Sequence, residues 1–137
     1  MLLCPVMKAK QLTVFVNDVP GSLARIARSL AENKVNIQAL VGIGSESLSP
    51  VRMLVDSPAR AKKALRQAGL EPIEDEVLLV TLPDKPGALA DFTEKLAAAG
   101  INISHAYATS AGGKKVTCVL AVSDLARASR LARSVGH

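Results

Sequence analysis

Asp18-Val19-Pro20-Gly21-Ser22-Leu23-Ala24 returns as Asp84-Lys85-Pro86-Gly87-Ala88-Leu89-Ala90, a step of 66 residues. The echo runs outward on both sides. At the same step Val14 matches Val80, Leu30 matches Leu96, and Asn36-Ile37 matches Asn102-Ile103. After one inserted residue the step is 67, and Val55 matches Val122, Ala59-Arg60-Ala61 matches Ala126-Arg127-Ala128, and Gly69 matches Gly136. A duplication of this length means two copies of one structural unit. Units of roughly 65 residues have marginal cores alone. The copies are therefore expected to pack together or with another chain.

Local patterning supplies the elements. Leu12–Val16 reads as a strand with apolar residues on both faces, so neither face is fully wet. Asn17–Gly21 is a turn, and Pro20 suits the start of a helix. Leu23, Ile26, Ala27 and Leu30 follow helical spacing, which predicts a helix over about 20–33. Strands follow over 35–41 and 51–55, separated by a flexible loop over 42–50. Asp56-Ser57-Pro58 opens a helix that runs to Gln67 and stops at Gly69. Glu71–Glu76 reads as a weak fourth strand, its Pro72 and charges marking an edge.

Val77–Leu82 opens the second copy. A helix over about 86–99 follows, with Leu89, Phe92 and Leu96 directed inward, then strands over 101–109 and 115–122 and a helix over 125–134. The β-α-β-β-α-β order predicts an α+β fold of two ferredoxin-like units in tandem, with antiparallel sheets and both helices on one face. The second copy stops at Gly136-His137, where the first continues into its fourth strand, so it lacks its last strand. Residues 1–10 read as an N-terminal extension and the start of the first strand, with 1–6 a flexible lead-in. The two units occupy 11–76 and 77–137. The open edge of the second sheet invites pairing with another chain, most simply in a two-fold homodimer; the alternative is that the first copy's edge strand pairs across within the chain and completes the second sheet.

Composition narrows the function. Hydrophobic residues make up 49% of the 137, but aromatics only 2%: Phe15, Phe92 and Tyr107. The core is aliphatic, and few rings remain to stack on a base. RNA-recognition modules of the same element order need such rings on their central strands. The net charge of +5 lies mainly on Arg60, Lys62, Lys63 and Arg66 and on Arg127, Arg130 and Arg133. Runs of this kind are usually solvated helix faces, which weighs against nucleic acid. Cys4 and Cys118 form neither a disulfide framework nor a metal spacing, and a copper carrier's Cys-x-x-Cys is absent. Cys118 sits in an apolar strand as a small hydrophobe, which fits a reducing cytoplasm. No apolar run approaches ~18 residues, so no membrane span is expected. The first residues lack the basic region of a signal peptide.

Catalytic and metal motifs fail on inspection. Gly112-Gly113-Lys114 has part of a phosphate loop, but Ala108 stands at its first glycine, Lys115 at its Ser/Thr, and a strand follows. His105 and His137 have no partners at metal spacing. No acid, base and nucleophile cluster together. No catalysis, cofactor or metal is expected.

One feature with binding chemistry remains. Asp-x-Pro-Gly-x-Leu sits at a strand-to-helix junction in both copies. A helix start leaves N–H groups unpaired, and these attract a carboxylate. Gly21 and Gly87 have no Cβ, so a ligand can approach the backbone closely. Asp18 or Asp84 can answer an ammonium group. A free α-amino acid carries both groups a short distance apart. The plainer alternative is that the Asp caps the helix and Pro-Gly merely turns the chain.

With these residues quoted, the chain resembles the ACT domain, in tandem, over about 10–136. The resemblance implies an amino-acid-sensing regulatory protein without catalysis of its own. It implies ligand at an interface between ACT domains, held by the strand-helix loop of one and the second strand of its neighbour. In the first copy it nominates Asn17, Asp18, Pro20, Gly21, Ser22 and Leu23, with Asn36, Gln38 and Ala39 opposite. In the second it nominates Asp84, Pro86, Gly87, Ala88 and Leu89, with Asn102, Ser104 and His105. The expected partners are a free amino acid as effector, a second copy of the chain, and a separate enzyme or regulator. Two other readings stay open: a ligand-free regulatory subunit that pairs with an enzyme, and a nucleic-acid-binding regulator using the basic helices.

Overall fold

The structure, a computed structural model, describes residues 6–110 and 112–135. Expectations placed on residues 1–5, Cys4 among them, and on Gly136 and His137 lie outside the described residues. Ten elements run along the chain: β1 (Val6–Asn17), α1 (Ser22–Glu32), β2 (Ile37–Gly42), β3 (Leu48–Val55), α2 (Pro58–Gln67), β4 (Ile73–Pro83), α3 (Ala88–Ala98), β5 (Ile103–Thr109), β6 (Lys115–Val122) and α4 (Leu125–Val135). They form an α+β fold of tandem βαββαβ units, and the chain divides into two compact units.

The first unit spans residues 10–75. Its strands lie in the order β2-β3-β1, antiparallel, with the start of β4 beyond β1. Alternation along β1 and β3 puts Leu12, Val14, Val51, Met53 and Val55 on one face, where they share a core with Ile26 and Leu30 of α1 and Ala61, Ala64 and Leu65 of α2. Both helices therefore cover the same face. On the other face Gln11 and Thr13 are also buried, as a strand with no wet face requires. Helix α2 begins as its sequence dictates: Pro58 occupies the first turn and the Ser57 hydroxyl accepts from Arg60 N–H at 3.4 Å.

The second unit holds residues 76–135 together with residues 6–9. Its strands run β4-β6-β5, antiparallel, and the start of β1 lies beyond β4. Leu78, Val80, Leu82, Cys118 and Leu120 face Phe92 and Leu96 of α3 and Ala128 and Ala132 of α4. Val6 packs against this same core. The two units share further details. A bulge falls at Gln38 in β2 and at the equivalent Ser104 in β5. The Asn36 carbonyl accepts from Asp56 N–H at 3.1 Å, as the Asn102 carbonyl does from Ser123 N–H at 2.9 Å.

Four expectations need correction. The segments 71–76 and 77–82 are not separate strands; β4 is one strand from Ile73 to Pro83. No glycine or proline interrupts it after Pro72, so the pleat simply continues. The last described element of the second unit is α4, and its sheet does not keep an open edge at β4. The start of β1 occupies that place, and for the same reason Val6 belongs to a strand, not to a lead-in. The loop over 42–50 is shorter than expected, because Leu48, Ser49 and Pro50 pair with Asn17, Val16 and Phe15. Pro50 fits there because its carbonyl accepts from Ile43 N–H at 3.2 Å, which needs no N–H of its own. Finally, Leu23, Ala27 and Leu89 do not face the core; the two leucines are 48% and 52% exposed. Each leucine sits in the first turn of its helix, and the buried stripe begins one turn later, at Ile26 and Phe92.

Candidate functional site

The loop of the first unit is built around its glycine. Gly21 takes φ 90°, a left-handed conformation that a side chain strains, and stands as the N-cap of α1 without supplying a side-chain hydrogen bond. Arg25 N–H closes the first helical turn on the Gly21 carbonyl at 2.9 Å, and Ser22 N–H reaches the Val19 carbonyl at 3.3 Å. The N–H groups of Leu23 and Ala24 have no hydrogen-bond partner among the described residues. The Ser22 hydroxyl donates to the Asn17 carbonyl at 2.7 Å and fixes the turn. Asp18 therefore does not cap the helix, and its carboxylate is left exposed.

A cavity of about 220 Å³ opens beside this loop. Val16, Asn17, Asp18, Val19, Ser22 and Leu23 form one side, and the end of β2, the following turn and β3 form the other, through Gly42, Ile43, Gly44, Ser49 and Val51. The wall is tight at one point. A Cβ on Gly44 would lie 2.7 Å from Asp18 Oδ2, so the carboxylate rests directly against glycine backbone. Ser49 is buried and its hydroxyl accepts from Ser45 N–H at 3.1 Å. Around the mouth stand exposed aliphatic side chains: Val19 at 56%, Ile43 at 53% and Leu23 at 48%.

Of the nominated residues, the cavity brings together Asn17, Asp18, Ser22 and Leu23. Pro20 and Gly21 shape the loop without lining it. Gln38 and Ala39 lie toward the far end of β2 and Asn36 just before it, roughly 10–20 Å from Gly42 at the rise of a strand, and they are not among the residues that line this cavity. Gln38 is exposed at its bulge, whereas Ala39 is buried. Gly42, Ile43, Gly44 and Ser49 were not nominated. Their signal was the Gly42-x-Gly44 pair, which the second copy replaces with Ala108-x-Ser110.

In the second unit Gly87 repeats the same backbone, φ 91° with no side-chain cap, and Asp91 N–H closes the turn on its carbonyl at 2.9 Å. Asp84, Pro86 and Leu89 are exposed, Ala88 half-buried. Asp84 N–H is held by the Lys114 carbonyl at 2.8 Å. Asn102 N–H bonds Ser123 Oγ at 2.9 Å, and the Ser104 hydroxyl donates to the Ala121 carbonyl at 3.3 Å. His105 is half-buried within β5.

Elsewhere, Arg60, Lys62 and Arg66 of α2 are engaged within the fold. Lys62 Nζ meets Glu74 at 2.6 Å, Arg66 meets Glu71 at 3.3 Å, and Arg60 donates to the Lys34 carbonyl at 3.3 Å. Among the described residues no group of three or more His, Cys, Asp or Glu side chains is placed to hold a metal, and no described helix is long and apolar enough to cross a membrane.

Comparison with solved structures agrees with this architecture. A protein of Bacteroides thetaiotaomicron superimposes with a TM-score of 0.87 at 26% identity, over 95% of this chain and 90% of that one. The regulatory subunit of aspartate kinase from Thermus flavus gives 0.75 at 19% identity, over 99% and 95%. Its counterpart from Thermus thermophilus, in a ligand-free form, gives 0.71 at 18% identity over the whole of both chains. At these identities the two kinase subunits share the fold. No curated protein matches by sequence. Residues 7–132 match the ACT domain pair, a regulatory module, and the chain belongs to that family.

Proposed function

We propose that this ACT domain pair, with residues 11–76 and 77–137 as its domains, senses a free amino acid and passes the signal to a separate protein, with no catalysis of its own. The observation that carries the proposal is the cavity of the first unit. It sets an exposed carboxylate, Asp18, beside a helix start whose Leu23 and Ala24 N–H groups lack partners among the described residues. Those are the two complements of an α-amino acid: an acceptor for its ammonium and donors for its carboxylate. Likeness in fold to regulatory subunits of aspartate kinase supports a regulatory role, exercised on a partner enzyme or through self-association into a homodimer. The buried free thiol of Cys118 suits a reducing, cytoplasmic setting.

A metabolic sensor releases its ligand readily, so the expected affinity is micromolar to millimolar, about −8 to −4 kcal/mol. At a hundredfold excess over Kd, binding adds about 2.7 kcal/mol of stability. That raises Tm by several degrees in a chain of this size. A thermal-shift screen of the twenty amino acids tests the proposal. At least one should raise Tm in a dose-dependent way. A flat response to all of them would favour the ligand-free regulatory subunit instead.

A further inference from the structure

The cavity can be compared position by position with the second copy, because strand register fixes the equivalences. Val16 pairs with Ser49, and Leu82 pairs with Val116. Gly42 pairs with Val51 in the first sheet, and Ala108 pairs with Cys118 in the second. Pro83 thus stands where Asn17 does, Ala88 where Ser22 does, and Val116 where Ser49 does. Three polar side chains of the first cavity have apolar counterparts. Counted on from the Gly42–Ala108 equivalence, Ser110 stands where Gly44 does, and a Cβ on Gly44 would lie 2.7 Å from Asp18 Oδ2. Lys85 and Lys115 replace the exposed aliphatic side chains of Val19 and Leu48. The two copies share a loop backbone, but among the described residues the polar side chains of the first cavity are not repeated in the second copy.

We infer that each chain takes up one amino acid, in the first unit, and that this ligand carries a branched aliphatic side chain. The inference rests on the amino-acid-sensing function proposed above and adds the number of sites and the ligand class. Asp18 and the start of α1 answer the common amino and carboxylate groups, so the rest of the lining selects the side chain. That lining offers Val16, Val19, Leu23, Ile43 and Val51. No cationic residue lies among the described lining to meet an acidic side chain, and no second carboxylate to meet a basic one. The Ser22 hydroxyl donates to the Asn17 carbonyl and the Ser49 hydroxyl accepts from Ser45 N–H, so each has one hydrogen bond within the fold. Pockets for drug-sized ligands run to about 300–1,000 Å³, so a cavity of about 220 Å³ suits a smaller molecule. Each methylene buried there raises affinity about fourfold.

Calorimetry on the full chain tests this, with leucine, isoleucine and valine set against alanine, serine, aspartate and lysine. The expected result is one equivalent per chain, with the best branched aliphatic ligand at least about tenfold tighter than the other four. Gly44→Ala should displace the Asp18 carboxylate and weaken binding by about tenfold or more. That φ does not strain a side chain there and the struck atom ends a flexible side chain, so the fold should persist. Asp18→Asn gives an independent reading at the same group and should weaken binding likewise. Ser110→Gly, in the second copy, should leave binding unchanged. Two equivalents, a preference for a charged or hydroxylated ligand, or unchanged binding in both first-copy variants would overturn the inference while leaving amino-acid sensing intact. No binding of any of the seven would overturn the inference, and a flat response across all twenty amino acids would overturn the sensing function with it.

Discussion

Gly21 and Gly87 hold almost the same backbone, at φ 90° and 91°, yet the loops around them are furnished for different ends. The first opens on a cavity closed by Gly44 and lined by Asn17, Ser22 and Ser49. The second is tied back through the Asp84–Lys114 hydrogen bond and carries Pro83, Ala88 and Val116 at those positions. A duplicated unit keeps what the fold demands, which is the turn, the helix start and the inward stripe. It is free to change what only a ligand demands. The differences at the cavity wall, at Asn17, Ser22 and Ser49, are therefore the ones that bear on the ligand.

The comparison predicts equal treatment where the fold is at stake. Ile26 and Phe92 are equivalent, fully buried, and central to their respective cores. Phe92→Ala should cost about 3–5 kcal/mol and Ile26→Ala about 2–5 kcal/mol in chemical denaturation. A loss under ~1 kcal/mol at either position would mean that its unit is not held by that core. Next in size are the loop glycines. A Cβ at Gly21 or Gly87 meets open space, so the cost of an alanine is backbone strain alone, about 1–2 kcal/mol at each site. The two alanine variants should lose similar stability, but only Gly21→Ala should also weaken the ligand. Affinity lost equally in both would erase the proposed division of labour.

Smaller differences sharpen the picture. Helix α1 is followed by Lys34 at φ 59°, where the second copy has Gly100 at φ 74°. Glycine is the natural residue for that conformation. Lys34→Gly should therefore stabilise the chain, by up to about 1 kcal/mol, as read from the denaturation midpoint. A destabilised variant would mean that the Lys34 side chain contributes more than its strained backbone costs. The smallest effect concerns acid. The hydrogen bond from Lys62 holds the Glu74 carboxyl below its usual range, against some desolvation and with help from Lys10. A lowered carboxylate pKa contributes stability that is present above the unfolded value and lost as pH falls through the folded one. Glu74→Gln should slightly lower Tm near neutrality and converge with the parent in acid, so that the fall on the acid side is a little flatter; coincident curves would show that the pair is too well solvated to matter.

Much of this was legible in the chain. The repeat of Asp-x-Pro-Gly-x-Leu, the helical spacing of Ile26 with Leu30 and of Phe92 with Leu96, and the caps at Ser57 and Pro58 are local signals, and local physics reads them. Strand continuity was harder. Pro72 and the acids that follow look like an edge, and only tertiary pairing reveals that β4 runs through to Pro83 beside β1. The lead-in misread at Val6 has the same cause: a strand that completes a sheet some 70 residues away in sequence carries no local mark of its destination. Half of the candidate site was hidden for a related reason. The Asp18 loop has a motif, but Gly44 and Ser49 matter only because β2 and β3 bring them opposite that loop.

The account's central claim is that one fold appears twice but one site only once. A residue-resolved NMR titration of the full chain with leucine puts this most directly. The account predicts saturable amide shifts at Leu23, Ala24, Ile43 and Gly44, with Leu89, Ala90, Thr109 and Ser110 unmoved at the same ligand concentration. Matching shifts in both sets, or shifts confined to the second, would contradict it.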